Sequence, residues 1–329
     1  MDFAFSDEQQ MLRDQARQFL KDRFPEDRVV ELADSDEGWD PKSWKEIADL
    51  GWVGLSTPED KGGAGMSFLD EAVIFEEMGY ALYPGLYFAT VALALPALEA
   101  HPDGSLLEKV MAGDTAASFS NDADRVVDGD KAEVVFLTVD GSVVAFDAPE
   151  PKTLTTVDRT RRLASVATSG GTPVAEGEAA RDLVHTIRLR SLAAAALEAV
   201  GVAQKAHDLA REYVKERQQF GKPIGQYQAV SHQVADTYLH VELARSLAYW
   251  AAWCVAESDE QAERAVLAAK AQATEAAVFA CERSIQVHGG IGFTWEHILH
   301  RYYKRAQWLQ GFEGFPSAQL SELADKILA

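Results

Sequence analysis

Two long helical patterns in the C-terminal half of the chain meet at Glu216-Arg217-Gln218-Gln219-Phe220-Gly221-Lys222-Pro223-Ile224-Gly225-Gln226-Tyr227-Gln228, and this corner limits what the chain can become. Gly221, Pro223 and Gly225 break the periodicity, because neither residue type sustains a helix interior. A fold of long helices turned by short corners follows. The corner also gathers a guanidinium, an aromatic ring and amide side chains. That set can hold a phosphate, stack on a flat ring and hydrogen-bond a sugar or base. Taken alone, the same residues also describe an ordinary solvated corner between helices.

The chain has 329 residues, enough for two or three layers of core or for two domains. Hydrophobic residues make up 47% and charged residues 25%, the balance of a soluble globular protein. A net charge of −21 leaves no basic surplus to displace counterions, which argues against nucleic acid as a partner. An anionic ligand must then be met by local clusters of Arg and Lys. Cys254 and Cys281, the only cysteines, lie in alanine-rich helical text and read as small buried hydrophobes in a reduced compartment. The start, Met1-Asp2-Phe3-Ala4-Phe5-Ser6-Asp7-Glu8, lacks the basic and apolar regions of a signal peptide. No apolar run approaches the ~20 residues that span a bilayer. A cytoplasmic protein without a membrane partner is expected.

Ser6-Asp7-Glu8-Gln9 is a capping box that starts a helix buried through Leu12, Ala16, Phe19 and Phe24 and ending near Pro25. Residues 26–40 are polar and acidic and read as a surface connection. Pro41 begins a short helix (Trp44, Ile47, Ala48, Leu50) that stops at Gly51. The glycine-rich loop from Gly51 to Gly65 lacks Gly-x-x-x-x-Gly-Lys-[Ser/Thr] and is not a P-loop. Ser67 caps the next helix, with Asp70 and Glu71 in its first turn. Helical patterns follow over 86–98 and 106–112. Between 116 and 185 the texture changes. Val134-Val135-Phe136-Leu137-Thr138-Val139 and Ser142-Val143-Val144-Ala145-Phe146 flank Asp140-Gly141, a strong hairpin signal. Further strands are expected over 153–157 and 163–166, and no nucleophile–base pair or metal spacing is found there. From Ile187 the chain is helical again: to about Lys215, from near Gln226, over 260–287 up to Gly289-Gly290, and over 296–309. The second of these helices carries one stripe of Val230, Val234, Val241, Ala244 and Ala248. A second stripe, Leu239, Leu243, Leu247 and Trp250, predicts a helix covered on two sides.

A second motif, Gln286-Val287-His288-Gly289-Gly290-Ile291-Gly292-Phe293, is followed by Glu296 and by Arg301-Tyr302-Tyr303-Lys304-Arg305-Ala306. With the corner at 216–228, it resembles the acyl-CoA dehydrogenase family of flavoenzymes. Leu50-Gly51-Trp52, Pro58-Glu59-Asp60-Lys61-Gly62-Gly63-Ala64-Gly65 and Phe75-Glu76-Glu77-Met78-Gly79 resemble it too, in the same order. The resemblance covers about 1–112 and 186–329. It implies a mainly α fold with a small β module: an N-terminal helical domain (1–114), a reduced middle β domain (115–185) and a C-terminal four-helix bundle (186–329).

The resemblance also implies FAD held at a subunit interface of a homo- or hetero-oligomer. Arg217 would meet the FAD pyrophosphate, Phe220 would pack on the adenosine part and Gln228 would hydrogen-bond it. Gln286, Gly289 and Gly290 would approach the adenosine diphosphate from the dimer partner. The implied reaction removes the α-proton of an acyl-CoA thioester with a carboxylate while the β-hydrogen leaves as hydride to flavin N5. Electrons then pass to an electron-transfer flavoprotein or similar acceptor. Glu313, within Phe312-Glu313-Gly314, falls on the base motif, although Phe315-Pro316 replaces the small hydroxyl residue that normally follows. Some members carry the base on the first bundle helix, where this chain has Ser191. The family's Thr-Glu-Pro … Gly-Ser-Asp loop is missing from the β module; Ser118-Phe119-Ser120-Asn121-Asp122 is at best a remnant of it. Shortened members of this kind resemble the smaller subunits of heteromeric acyl-CoA dehydrogenases acting on steroid side chains. Two roles therefore stand side by side: a dehydrogenase using its own Glu313, and a non-catalytic subunit completing a partner's FAD site. A helical scaffold without a cofactor is a third, disfavoured by four motifs in order.

Overall fold

The computed structural model describes residues 5–147 and 149–328, so the first four residues of the stretch read for targeting signals lie outside the described residues. The fold is mainly α-helical with a small β module, as expected. Two compact units form. The first comprises Met1–Val30, Ala72–Tyr83 and Leu192–Ala329, the second Glu31–Glu71 and Pro84–Ser191.

Helix α1 (Asp7–Arg23) begins at the expected capping box, with Gln9 N–H donating to Ser6 Oγ and Ser6 N–H to the Gln9 amide, each at 3.2 Å. Residues 26–34 are not a surface connection. They form α2 (Glu26–Asp34), on which Val29, Leu32 and Ala33 are buried. Pro25 ends one helix and opens the next, since its missing N–H is tolerated in a first turn. Helices α3 (Pro41–Asp49) and α4 (Phe68–Tyr80) follow as expected. Asp70 reaches back to Ser67, accepting from its N–H at 2.9 Å and its hydroxyl at 2.8 Å. The 86–98 pattern becomes a π-helical stretch (Phe88–Ala94) leading into α5 (Leu95–Ala100), before α6 (Gly104–Met111).

The β module lies in the second unit. Strands β1 (Ala117–Ser120), β2 (Val126–Val127), β3 (Val134–Val139), β4 (Ser142–Asp147), β5 (Glu150–Thr153), β6 (Leu163–Ala167) and β7 (Thr172–Ala175) make two sheets. Their orders are β1-β3-β4-β7 and β2-β6-β5, with only β1 and β3 parallel. Asp140 (φ 49°) and Gly141 (φ 79°) both take the left-handed conformation that a two-residue hairpin turn requires. Val126, Val135, Leu137, Phe146 and Val166 form the core. The strand expected at 153–157 ends at Thr153. Beyond it the chain bends where the Thr156 hydroxyl donates to Asp158 O at 2.8 Å.

Helix α7 (Gly177–Glu216) starts ahead of the expected Ile187, because its first turns carry Glu178, Arg181, Asp182 and His185 and so show no apolar stripe. The hairpin β8 (Gln218–Gln219) and β9 (Lys222–Pro223) then leads to α8 (Gln228–Ala256), α9 (Ala262–His288), α10 (Leu299–Gly311) and α11 (Pro316–Leu328). Alanine-rich α9 packs against α8, α10 and α11, and small side chains permit that approach. On α8 one stripe is buried through Val241, Ala244 and Ala248. Of the second stripe, Leu239 and Leu243 stay 56% and 51% exposed while Leu247 and Trp250 are half-buried, so that side of α8 is covered only toward its C-terminal end. Helix α10 begins at Leu299 rather than near 296, because a 3-10 turn (Gly289–Phe293) and the capping of Leu299 N–H by His297 Nδ1 intervene. Helix α11 was not foreseen. Its apolar residues Leu320, Ile327 and Leu328 are exposed, which blurs the periodicity.

The glutamates of Phe75-Glu76-Glu77-Met78-Gly79 are buried in the first unit. Arg13 bonds both at 3.0 Å, Arg17 reaches Glu77 at 2.7 Å and Arg245 reaches Glu76 at 3.1 Å. Tyr249 donates to Glu76 at 2.8 Å, and burial drives its pKa well above the usual phenol value. Gly79 closes the motif because α4 and α7 touch there. A Cβ on it would stand 2.1 Å from Glu198 O.

Candidate cofactor-binding corner

The corner at 216–228 belongs to the first unit and is built by backbone hydrogen bonds. Arg217 N–H donates to Tyr213 O at 2.9 Å, extending the last turn of α7, and Arg217 O accepts from Ile224 N–H at 2.8 Å. Gln218 pairs with Pro223 and Gln219 with Lys222, leaving Phe220-Gly221 as the two-residue turn. Both take positive φ, 52° and 79°. For Gly221 this carries little strain, whereas a bulky residue held there costs of order 1–3 kcal/mol. The conformation leaves Phe220 92% exposed. Tyr227 braces the hairpin, its hydroxyl donating to Gln219 O at 3.1 Å and its ring lying 4.2 Å beneath Lys222 Nζ. Arg217 is exposed, and among the described residues no acid pairs with it. Gln228 opens α8, whose N-terminus has no side-chain cap. Free first-turn N–H groups and a nearby guanidinium suit an anion.

The second expected segment lies at the end of α9. Gly289 (φ 64°) ends the helix, and a Cβ on Gly289 or Gly290 would meet nothing within 4 Å, so the backbone lies open to a close approach. Gln286 is exposed on the last turn. The two segments are tied within one chain: Tyr213 stacks on His288 with centroids 4.2 Å apart, and its hydroxyl donates to His288 O at 3.4 Å. His288 is buried and its Nδ1–H donates to Ser284 O at 2.7 Å. Burial holds its pKa below the usual imidazole value, with the neighbouring His297 acting in the same direction. Arg217, Phe220 and Gln228 at the corner, and Gln286, Gly289 and Gly290 at the end of α9, are all exposed.

Glu313 lies apart from these residues in sequence, in the turn between α10 and α11. It is exposed and takes φ 51°, with Gly314 at 100°. The turn is held from beneath. Lys270, fully buried on α9, donates to Gln310 O at 2.9 Å and to Gly314 O. Gln319 donates to Glu313 O at 2.8 Å and to Gly314 O at 3.0 Å. Desolvation brings the Lys270 ammonium down to about 8, against a partial upward pull from Glu313. Between that value and its ordinary 10.5, the folded protein sheds a proton that the unfolded chain keeps. Stability should therefore rise with pH across this window, by up to about 3 kcal/mol. Comparing urea unfolding near pH 7 and near pH 10 should give a smaller rise for Lys270→Met than for the wild type. Equal changes would contradict a buried titrating lysine. Its sequence signal was a lone charge inside alanine-rich helical text.

Ser191 is buried, its hydroxyl donating to Arg188 O at 3.0 Å. Beside it in the second unit lies a pair the sequence did not reveal. Arg190 is bonded to Glu71, and also donates to Ser56 Oγ at 3.1 Å and to Val91 O at 3.0 Å. Its guanidinium lies 4.7 Å from the Phe68 ring centroid. Glu71 is completely buried, which raises its pKa although Arg190 opposes the shift. Among the described residues no cluster of His, Cys, Asp and Glu is arranged for a metal ion. Nor is any helix long and apolar enough to cross a membrane.

Comparison with known proteins gives the family. The family model described as "Acyl-CoA dehydrogenase, N-terminal domain" matches residues 6–106, and "Acyl-CoA dehydrogenase, C-terminal domain" matches 188–328. The chain is 33% identical over 324 residues to acyl-CoA dehydrogenase IpdE2 of Mycobacterium tuberculosis, covering 98% of this chain and 95% of that one. The Tcur3481-Tcur3483 steroid ACAD has a TM-score of 0.88 at 28% identity and covers 98% of both chains. The ChsE4-ChsE5 complex from Mycobacterium tuberculosis has a TM-score of 0.90 over 100% of this chain and 99% of that chain, a likeness of fold at 23% identity. With both terminal domains matched and relatives aligned along nearly its whole length, the chain belongs to the acyl-CoA dehydrogenase family of oxidoreductases.

Proposed function

We propose that this chain is a subunit of an FAD-dependent acyl-CoA dehydrogenase and supplies the grip on the adenosine diphosphate half of the cofactor. The observation that carries this reading is Phe220, 92% exposed on a turn that bulky residues avoid. An aromatic ring kept there against conformational preference has a use if a flat base lies on it. Arg217 would neutralise the pyrophosphate, with the uncapped start of α8 adding N–H donors. Gln228 would bond the adenosine, while Gln286, Gly289 and Gly290 would approach, across the subunit interface, the adenosine diphosphate held by the dimer partner. FAD, when bound, supplies the acceptor for the β-hydrogen of the thioester, taken as hydride at N5.

The remaining chemistry is loss of the α-proton to a carboxylate. A general base needs position first and an apolar setting second. The Lys270–Gln319 clamp would fix the backbone that carries Glu313. The apolar setting must come from the cofactor, the substrate or another subunit, because its side chain is exposed in this chain. That exposure favours the companion reading, in which this chain completes a partner's FAD site and the partner provides the base. The likeness to the steroid ACAD supports a hetero-oligomer with the acyl-CoA drawn from steroid or other lipid degradation. An electron-transfer flavoprotein or similar acceptor, a cytoplasmic setting and the division 1–114, 115–185 and 186–329 belong to the same proposal.

Glu313→Gln separates the two roles. If Glu313 is the base, acyl-CoA-dependent flavin bleaching should slow by about 10²–10⁴-fold with FAD content unchanged. Unaltered bleaching would assign the proton transfer to a partner.

A further inference from the structure

The first unit contains a cleft of about 500 Å³ between α1, the start of α2, the end of α4, α7 and the start of α10. None of the residues assigned above to FAD or to proton transfer lines it. Its floor is apolar: Leu20, Phe24, Val29, Leu82 and Tyr302 are each at most 4% exposed. Its rim gathers Arg17, Lys21 and Lys205 with Glu26 and Glu77. An excess of one cation around this opening runs against a chain with 31 basic and 52 acidic residues.

The rim cations are not equivalent. Arg17 is committed to Glu77, with bonds of 2.9 and 2.7 Å, and lies 5.0 Å from the Tyr80 ring centroid. Lys205 stands 3.2 Å from Glu26 and 5.6 Å from the same centroid. Lys21 is exposed, and among the described residues it has no acidic partner. Tyr80 is oriented by its hydroxyl, which donates to Asp208 at 3.0 Å. Leu82 adds a second, independent sign. It takes φ 53° where a helix usually ends in glycine, with Leu82 N–H donating to Gly79 O at 3.1 Å and Tyr83 N–H to Met78 O at 2.9 Å. The strain of a branched residue there is maintained, and its side chain forms part of the floor.

Volume, apolar floor and few convergent polar groups match small-molecule sites, which run to about 300–1,000 Å³. We infer that this cleft binds an amphipathic carboxylate: the apolar body lies on Leu20, Val29 and Leu82, and the carboxylate meets Lys21 and Lys205. The site is independent of the FAD reading, since it shares no residue with it.

The probes are decanoate, a straight-chain carboxylate, and cholate, a fused-ring one, titrated calorimetrically into the full protein. Saturable binding of either at one per chain is expected, and which binds tells the shape of the body. Lys21→Glu, an exposed change, should weaken binding tenfold or more, and Ala81→Trp at the edge should abolish it. Should the second variant fold poorly, the first still decides. Absence of saturable binding by both probes up to about 1 mM would overturn the inference. So would binding that survives Lys21→Glu, or decylamine binding as well as decanoate.

Discussion

An Arg217→Ala/Phe220→Ala variant is expected to bind FAD two to four orders of magnitude more weakly than the wild type while keeping its fold. Arg217 is exposed and Phe220 is 92% exposed, so neither supports the core. A hydrogen bond to a charged group is worth about 1.5–3 kcal/mol. Stacking of a base on an aromatic side chain adds about 1–3 kcal/mol by alanine substitution. Alanine keeps the Cβ that disfavours positive φ, so the substitution leaves the turn strain in place and thermal stability should hold. Equilibrium dialysis with FAD, paired with a melting curve, reads both effects. Undiminished FAD affinity in a folded variant would remove the corner from the cofactor site.

Much of this corner was legible beforehand because its signals are local. Glycine and proline spacing located the break between α7 and α8, Asp140-Gly141 located the β3–β4 hairpin, and Ser6 located the start of α1. What stayed hidden depends on residues distant in sequence. Glu71 read as a favourable first-turn acid of α4, yet it is buried against Arg190, 119 positions away. Glu76 and Glu77 read only as part of a motif, although Arg13, Arg17 and Arg245 decide their setting. The turn carrying Glu313 owes its shape to Lys270 on α9 and Gln319 on α11, and α11 itself had no clear apolar stripe. The Tyr213–His288 stack, which ties α7 to the end of α9, is likewise invisible in periodicity. Local chemistry named the candidate residues, and long-range packing determined which of them are held, buried or left free.

Arg190→Met is expected to destabilise the protein by about 3–5 kcal/mol, the cost of leaving a buried charge without its partner. Glu71 is completely buried, and it would keep the Ser56 N–H, at 3.0 Å, and the Ser56 side chain but no cation. The variant should also show a stronger pH dependence than the wild type. Without Arg190 the folded pKa of Glu71 rises further, so stability is retained at low pH and lost as pH climbs through that value. Replacing both partners, Arg190→Met with Glu71→Leu, should recover much of the loss, because no buried charge remains. Urea unfolding at acid and neutral pH measures all three. A single variant losing less than about 1 kcal/mol would mean that the pair contributes little.

The most direct test of the FAD assignment is flavin per chain measured together with native mass, on the protein supplied with excess FAD. The account predicts an oligomer, of this chain or of this chain with a full-length acyl-CoA dehydrogenase partner, that retains FAD and whose flavin bleaches with an acyl-CoA. An assembled, acyl-CoA-oxidising oligomer that takes up no FAD, or whose FAD is unaffected by losing Arg217 and Phe220, would contradict it.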